Sequence, residues 1–390
     1  MITGSAGAFC TSASRRVMQL RVKNSPSWVW RRGRPFPMGT RKPRAKPMKS
    51  KPHQSEPRLV EPHAFRGRLE ALSLDSELLA QNPLGDPSQR DVAVWSPAES
   101  SNPLPLVLVL AGFTGRGQKY LDTHPWHPGL ALRLDRAHAN GEFPACRVAF
   151  PDCFTALGGS QYLDSSAVGK YQSHLFDEIV PFIEERWPCI PSARGVVGKS
   201  SGGFGALRLA LARPGYFSAV GSLSGDCGFE LAYGAELLSA CRGLIPWGGD
   251  AERFLKAFHQ RPDLSGDGHA VIDVLAMSAC YAPNPEAPLG FDLPMDPHTG
   301  ERQNPGWDRW LENDPLTMIE QDATGFAALN YLDLVAGTKD EFHLQFSLRR
   351  LCARLKELNI SHQHTEFDGG HFGTDEELLG LTGRVAKALA

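Results

Sequence analysis

The stretch Arg194-Gly195-Val196-Val197-Gly198-Lys199-Ser200-Ser201-Gly202-Gly203-Phe204-Gly205-Ala206 sets a G-x-S-x-G pattern between a short β-branched run and an alanine- and leucine-rich one. The first run reads as a strand and the second as a helix, ended near Pro214-Gly215. A serine at such a strand-to-helix turn, the nucleophile elbow, is lifted clear of the backbone. Glycines two residues before and after it let strand and helix close without Cβ clashes. The helix start also places N–H groups where an oxyanion would develop. Of the two adjacent serines only Ser200 has glycine at both −2 and +2. Ser200 is therefore the expected nucleophile.

Working outward, the flanking sequence repeats the strand–helix rhythm. Arg66 to Leu74 and Asp91 to Trp95 alternate like an antiparallel pair around the turn residues Asn82 to Pro87. Leu104 to Ala111 is a continuous apolar run, as a buried strand requires, and Arg147 to Pro151 is a shorter one. Leu175, Ile179, Phe182, Ile183 and Trp187 fall on one helical stripe, interrupted by Pro181. Phe217 to Leu223, Tyr331 to Ala336 and His362 to Phe367 read as later strands, with a helical repeat from Leu348 to Leu358 between the last two. The expected fold is α/β: an α/β-hydrolase fold, mostly parallel sheet with helices on both faces. Between Gly225 and Tyr331 the rhythm breaks. Helical patches at Glu236–Cys241, Ala251–Phe258 and Ala270–Met277 precede six prolines between Pro283 and Pro305. Residues 229–328 are read as an insertion over the carboxyl ends of the strands.

A serine needs a base, and in this fold the partners follow in the order Ser, then acid, then His. Of thirteen histidines, His371 lies in a glycine-rich loop directly after the final strand. Gly337-Thr338-Lys339-Asp340 follows the preceding strand, which makes Asp340 the expected orienting carboxylate. Glu341, read as opening the next helix, and Asp368, too near His371 in sequence, are its competitors. The oxyanion hole calls for two backbone N–H groups. Ser201 supplies one; the loop Gly112-Phe113-Thr114-Gly115 supplies the other, through Phe113, with Thr114 as the fallback.

Strand–Gly112-Phe113, Phe150-Pro151-Asp152, Glu178 to Glu184, Gly198 to Ala206, Gly337 to Asp340 and Gly369-Gly370-His371 together resemble the putative-esterase family of α/β hydrolases. That family includes S-formylglutathione hydrolase (esterase D), feruloyl and siderophore esterases, and mycolyltransferases. The resemblance spans about residues 65 to 385. It implies nucleophile Ser200, acid Asp340, base His371 and oxyanion donors Phe113 and Ser201. Many relatives carry tryptophans shortly after the histidine, whereas this chain has Phe372-Gly373-Thr374-Asp375, so substrate preference does not transfer.

Composition narrows the class. The 390 residues are 42% hydrophobic and 22% charged, and no run approaches the ~18 apolar residues of a membrane span. Residues 1–58 hold fourteen Lys and Arg against one acid, Glu56, so the remaining 332 carry a net charge of −15. An acidic body argues against a nucleic-acid enzyme. The basic arm is expected to be disordered or an upstream extension of the true start; a transit-like segment is the alternative. Residues 59–390 are then the hydrolase domain. Eight scattered cysteines without a C-x-x-C pair suggest thiols in a reducing, cytoplasmic setting. His362, His364 and Glu366, and separately His124 and His127, have ligand-like spacing but are read as a solvated strand face and a loop. Trp307 and Trp310 either line the pocket or anchor the insertion. The expected activity is hydrolysis of a carboxylic ester of a small molecule through an acyl-enzyme, with no metal and no cofactor. An acyltransferase on the same triad and a non-catalytic binding module are the alternatives.

Overall fold

Alternation along single strands decides how the layers are built. In the strand Leu104–Leu110, Leu106, Leu108 and Leu110 belong to one buried cluster, while Val107 and Val109 belong to another. Val196 and Val197 divide in the same way. Successive side chains leave opposite faces of a strand, so a strand that is apolar throughout must be covered on both sides.

The computed structural model describes residues 58–59, 65–98, 102–122, 124 and 126–390. Nine strands form one sheet: β1 (Arg58–Leu59), β2 (Arg68–Asp75), β3 (Gln89–Ser96), β4 (Leu104–Leu110), β5 (Arg147–Pro151), β6 (Cys189–Lys199), β7 (Ala219–Leu223), β8 (Tyr331–Gly337) and β9 (Gln363–Phe367). Their order is β1-β2-β3-β5-β4-β6-β7-β8-β9. Pairing is antiparallel from β1 to β5 and parallel from there to β9. This is the α/β-hydrolase arrangement expected from the strand–helix rhythm. Apart from Arg58, whose backbone pairs with Ala71 in β1, the basic arm lies outside the described residues.

Helices α1 (Leu130–Ala139), α2 (Val180–Arg186), α3 (Ser201–Ala212), α4 (Gly234–Leu244), α5 (Gly268–Tyr281), α6 (Gly306–Glu312), α7 (Leu344–Glu357) and α8 (Asp375–Ala388) supply most of the cover. Pro181 does perturb its helix. A π-helical turn, His174–Ile179, precedes α2, with the proline in the first turn beyond it. A wider turn accommodates the missing N–H and the ring. The helix α8 lays Leu381 and Val385 over Gly221 and Gly195, where a Cβ would crowd it. No helix among the described residues is long and apolar enough to cross a membrane. Seven cysteines, from Cys146 to Cys352, are free thiols, six of them buried.

Between β7 and β8, α5 is buried along nearly its whole length, and it packs chiefly on α4. Trp310 is fully buried against Phe229, Tyr233 and Tyr281, and Trp307 stacks near it. Both tryptophans are thus anchors of this region and do not line the cleft described below. His364 and Glu366 lie 3.5 Å apart, with Arg349 paired to the same carboxylate.

Candidate active site

The turn from β6 into α3 fixes the first group. Ser200 has φ 57° and ψ −127°, a conformation that non-glycine residues adopt only when their surroundings impose it. Its N–H donates to the Leu223 carbonyl at the end of β7, 2.9 Å away. A methyl group on Gly198 would run into the Gly202 carbonyl, and one on Gly202 into the Leu110 carbonyl. The two glycines of the pattern are therefore where the backbones of β4, β6 and α3 meet.

The loops after β8 and β9 bring the other two groups to it. Thr338 N–H donates to Phe367 O and Lys339 N–H to Gly369 O, which ties the two loops together. His371 Nε2 lies 3.0 Å from Ser200 Oγ, and its Nδ1 lies 2.9 Å from Asp340 Oδ2. Asp340 also accepts the Phe342 N–H at 3.0 Å. Burial alone would raise the Asp340 carboxyl. Hydrogen bonds from His371 first, then from the Phe342 N–H, hold it below the usual carboxylate range. The Phe342 ring meets the imidazole edge-on with centroids 4.7 Å apart.

The competitors fall elsewhere. Asp368 is 82% exposed and pairs with Lys339 on the surface. Glu341 does not open the next helix, because α7 starts only at Leu344, after His343 in the left-handed region. Its carboxylate turns back and accepts the His371 N–H at 2.6 Å. Glu341 thus holds the histidine loop, which the position of an acid beside a helix gave no means of foreseeing.

Facing Ser200, the loop after β4 is pinned by Tyr162, whose hydroxyl donates to the Ala111 carbonyl at 2.5 Å. Thr114 has φ 61° and spends its N–H on Gly158 O, 3.0 Å away. That removes the fallback donor. The N–H groups of Phe113 and Ser201 find no acceptor among the described residues. Both residues line the same cleft as Ser200 and His371.

Lys119, Lys199 and Phe372 line this cleft of about 230 Å³, as do Asp226, Tyr233, His269 and Asp273. Asp226 accepts hydrogen bonds from Tyr233 and Gln161, and burial raises its carboxyl despite them. Asp273 is raised further, by burial and then by the charges of Glu236 and Asp226. Lys199 is pushed down to about 8, by burial first and by Lys119 second, against Asp340, Asp375 and Asp226. None of these wall residues was a sequence candidate. One signal was available: Asp273 is the only charged residue between Ala270 and Tyr281.

Solved structures share the architecture. A ferulic acid esterase superposes with a TM-score of 0.53 at 17% identity, covering 84% of this chain and all of that one. An S-formylglutathione hydrolase from Agrobacterium tumefaciens gives 0.51 at 15%, covering 86% and 99%. FphF, a fluorophosphonate-binding serine hydrolase of Staphylococcus aureus, gives 0.50 at 13%, covering 82% and 98%. At these identities the likeness shows the fold. In sequence, the uncharacterized protein YbbA of Bacillus subtilis (strain 168) is 35% identical over 83 residues. That match covers 21% of this chain and 30% of YbbA, so it spans under a third of that protein's length. The family described as Putative esterase matches residues 164–374, more than half of the chain and most of the site. The chain therefore belongs to the Putative esterase family.

Proposed function

We propose that the protein is a serine esterase in which Ser200 is the nucleophile, His371 the general base and acid, and Asp340 the orienting carboxylate. The ester carbonyl enters between Ser200 Oγ and the two free N–H groups. As Oγ attacks, His371 Nε2 takes its proton, and the N–H groups of Phe113 and Ser201 stabilise the oxyanion. The tetrahedral intermediate collapses; the C–O bond to the alcohol breaks, and His371 returns the proton to the leaving oxygen. Water, deprotonated by the same imidazole, then attacks the acyl-enzyme and releases the acid. Asp340 keeps the imidazole in the tautomer with Nδ1–H and favours its transient positive charge.

The observation that carries this reading is the unbroken chain Ser200–His371–Asp340, at 3.0 and 2.9 Å, beside two unpartnered N–H groups in one cleft. A fluorophosphonate probe tests it. The wild-type protein is expected to be labelled and Ser200→Ala is not. Equal labelling of both would sink the assignment. Product analysis with an added alcohol acceptor separates hydrolysis from acyl transfer on the same triad.

A further inference from the structure

Among the described residues most arginines near the surface have a carboxylate partner. Arg116 pairs with Asp152, Arg194 with Glu184, Arg213 with Asp177, Arg349 with Glu366 and Arg384 with Asp333. Lys119, which is exposed, and Lys199, which is half-buried, form no ion pair with a carboxylate among the described residues, and both line the cleft beside Ser200. Each ammonium has an aromatic face within contact distance, while the carboxylates that act on it stay beyond ion-pair distance. Lys119 Nζ lies 5.2 Å from the Tyr120 ring centroid and Lys199 Nζ 5.1 Å from that of Phe372. A half-buried cation repelled by a neighbouring one, as Lys199 is by Lys119, costs folding free energy unless something neutralises it. The body around them is strongly acidic, so a carboxylate partner was available in composition and is not used here.

We propose that Lys119 and Lys199 form an anion subsite of the active site, so that the preferred substrates are esters bearing a carboxylate or a phosphate close to the scissile carbonyl. This rests on the esterase reading above. Lys199 immediately precedes the nucleophile and Lys119 follows the oxyanion loop by a few residues, so a bound anion would lie within a few bonds of the ester. An ammonium pair binds such a group through charge-assisted hydrogen bonds.

The test compares esters matched in size: nitrophenyl hydrogen glutarate against nitrophenyl valerate, which share a leaving group, and 4-acetoxybenzoate against its methyl ester, each rate taken relative to its uncatalysed hydrolysis. The first pair places the anion on the acyl half and the second on the alcohol half. In the wild-type protein one pair should show kcat/KM higher for the anionic member by about tenfold or more. Lys119→Gln and Lys199→Gln should each lower that ratio about tenfold, and Lys119→Glu should invert it. The ratio is read within each variant, so a general loss of rate does not mimic the effect. Competitive inhibition of the wild-type protein by glutarate but not by its uncharged diamide, glutaramide, gives the same answer without any substitution.

The charged groups facing Lys199 are Lys119, Asp340, Asp375 and Asp226, with His371 across Ser200. As Lys199 loses its proton the anion preference should fall, with a midpoint in the free enzyme near pH 8. Ser200-dependent hydrolysis with a ratio near one in both pairs, or a ratio indifferent to both lysines, overturns the subsite alone. Absence of turnover on every ester overturns the esterase reading and the subsite with it.

Discussion

The strands and the segment between β7 and β8 contribute to the same cleft under different constraints. Ser200, Asp340 and His371 sit at the carboxyl ends of neighbouring parallel strands, where tight turns and glycines fix the backbone. Tyr233, His269 and Asp273 come from helices whose positions depend on side-chain packing around Trp310. Geometry on the sheet side is set by backbone hydrogen bonds, and on the helical side by apolar contacts that tolerate exchange of shape. The expected division of labour follows: the sheet side sets turnover, and the helical side sets binding and stability.

The largest effect should come from the elbow. Ser200→Ala keeps a small side chain and is expected to lower kcat by about 10⁶, as loss of the nucleophile does in a related triad. Ser201→Ala should stay within a few-fold, because that residue acts through its N–H. Kinetics on one activated ester decide this, and a reversed order would move the nucleophile. Asp340→Asn is expected to follow, with kcat down by ~10⁴ at neutral pH, since an amide holds the wrong imidazole tautomer. Asp368→Asn, on an exposed ion pair, should leave the rate within about two- to three-fold.

Glu341 sharpens the comparison, because it acts on the sheet side without touching the reacting atoms. Its carboxylate holds the His371 N–H at 2.6 Å. Glu341→Ala removes that acceptor and frees the loop, and kcat should fall about tenfold with KM unchanged. Glu341→Gln keeps a carbonyl in the same place and should recover most of the rate. Equal loss in both variants would mean that the charge, not the loop position, is what matters.

How far the sequence could be read follows the same division. The strands β4 to β9 were legible as short runs between turn signals and helical patterns, and the elbow and the loops bearing Asp340 and His371 because glycines follow the strand at each of them. Helix α8 was not recognised, although Leu378, Leu381 and Val385 have helical spacing, because short apolar stripes at a chain end resemble many surface helices. Helix α1 was missed as well. Glu341 was misplaced because an acid just ahead of a helix looks like a first-turn residue, and the intervening left-handed His343 leaves no pattern in sequence. The cleft walls were illegible on more basic grounds. Lys119, Tyr233 and the α5 pair His269 and Asp273 lie in three separate segments, and only tertiary packing brings them together.

The smallest effect, and the one that best isolates the helical side, belongs to Asp273. It sits on the apolar helix α5, is 7% exposed, and has no hydrogen bond or ion pair among the described residues. Burial, together with the charges of Glu236 and Asp226, raises its carboxyl well above the usual value. The folded protein therefore keeps this proton at pH values where the unfolded chain has lost it. Where the folded state binds more protons, stability falls as pH rises. The stability that Asp273 gives is full below its unfolded pKa and is lost as pH rises toward the folded one. One group contributes a slope of at most ~1.4 kcal/mol per pH unit across that window. Asp273→Asn replaces the neutral acid with a neutral amide of the same shape and removes the titration. Denaturant midpoints from pH 4.5 to 8 should therefore decline more steeply in the wild-type protein than in the variant, while kcat on a neutral ester changes by no more than about threefold. Parallel pH profiles would mean that Asp273 is ionised in the folded protein and finds a counter-charge. A collapse in kcat would instead give the helical wall a part in turnover and end the division drawn between the two sides.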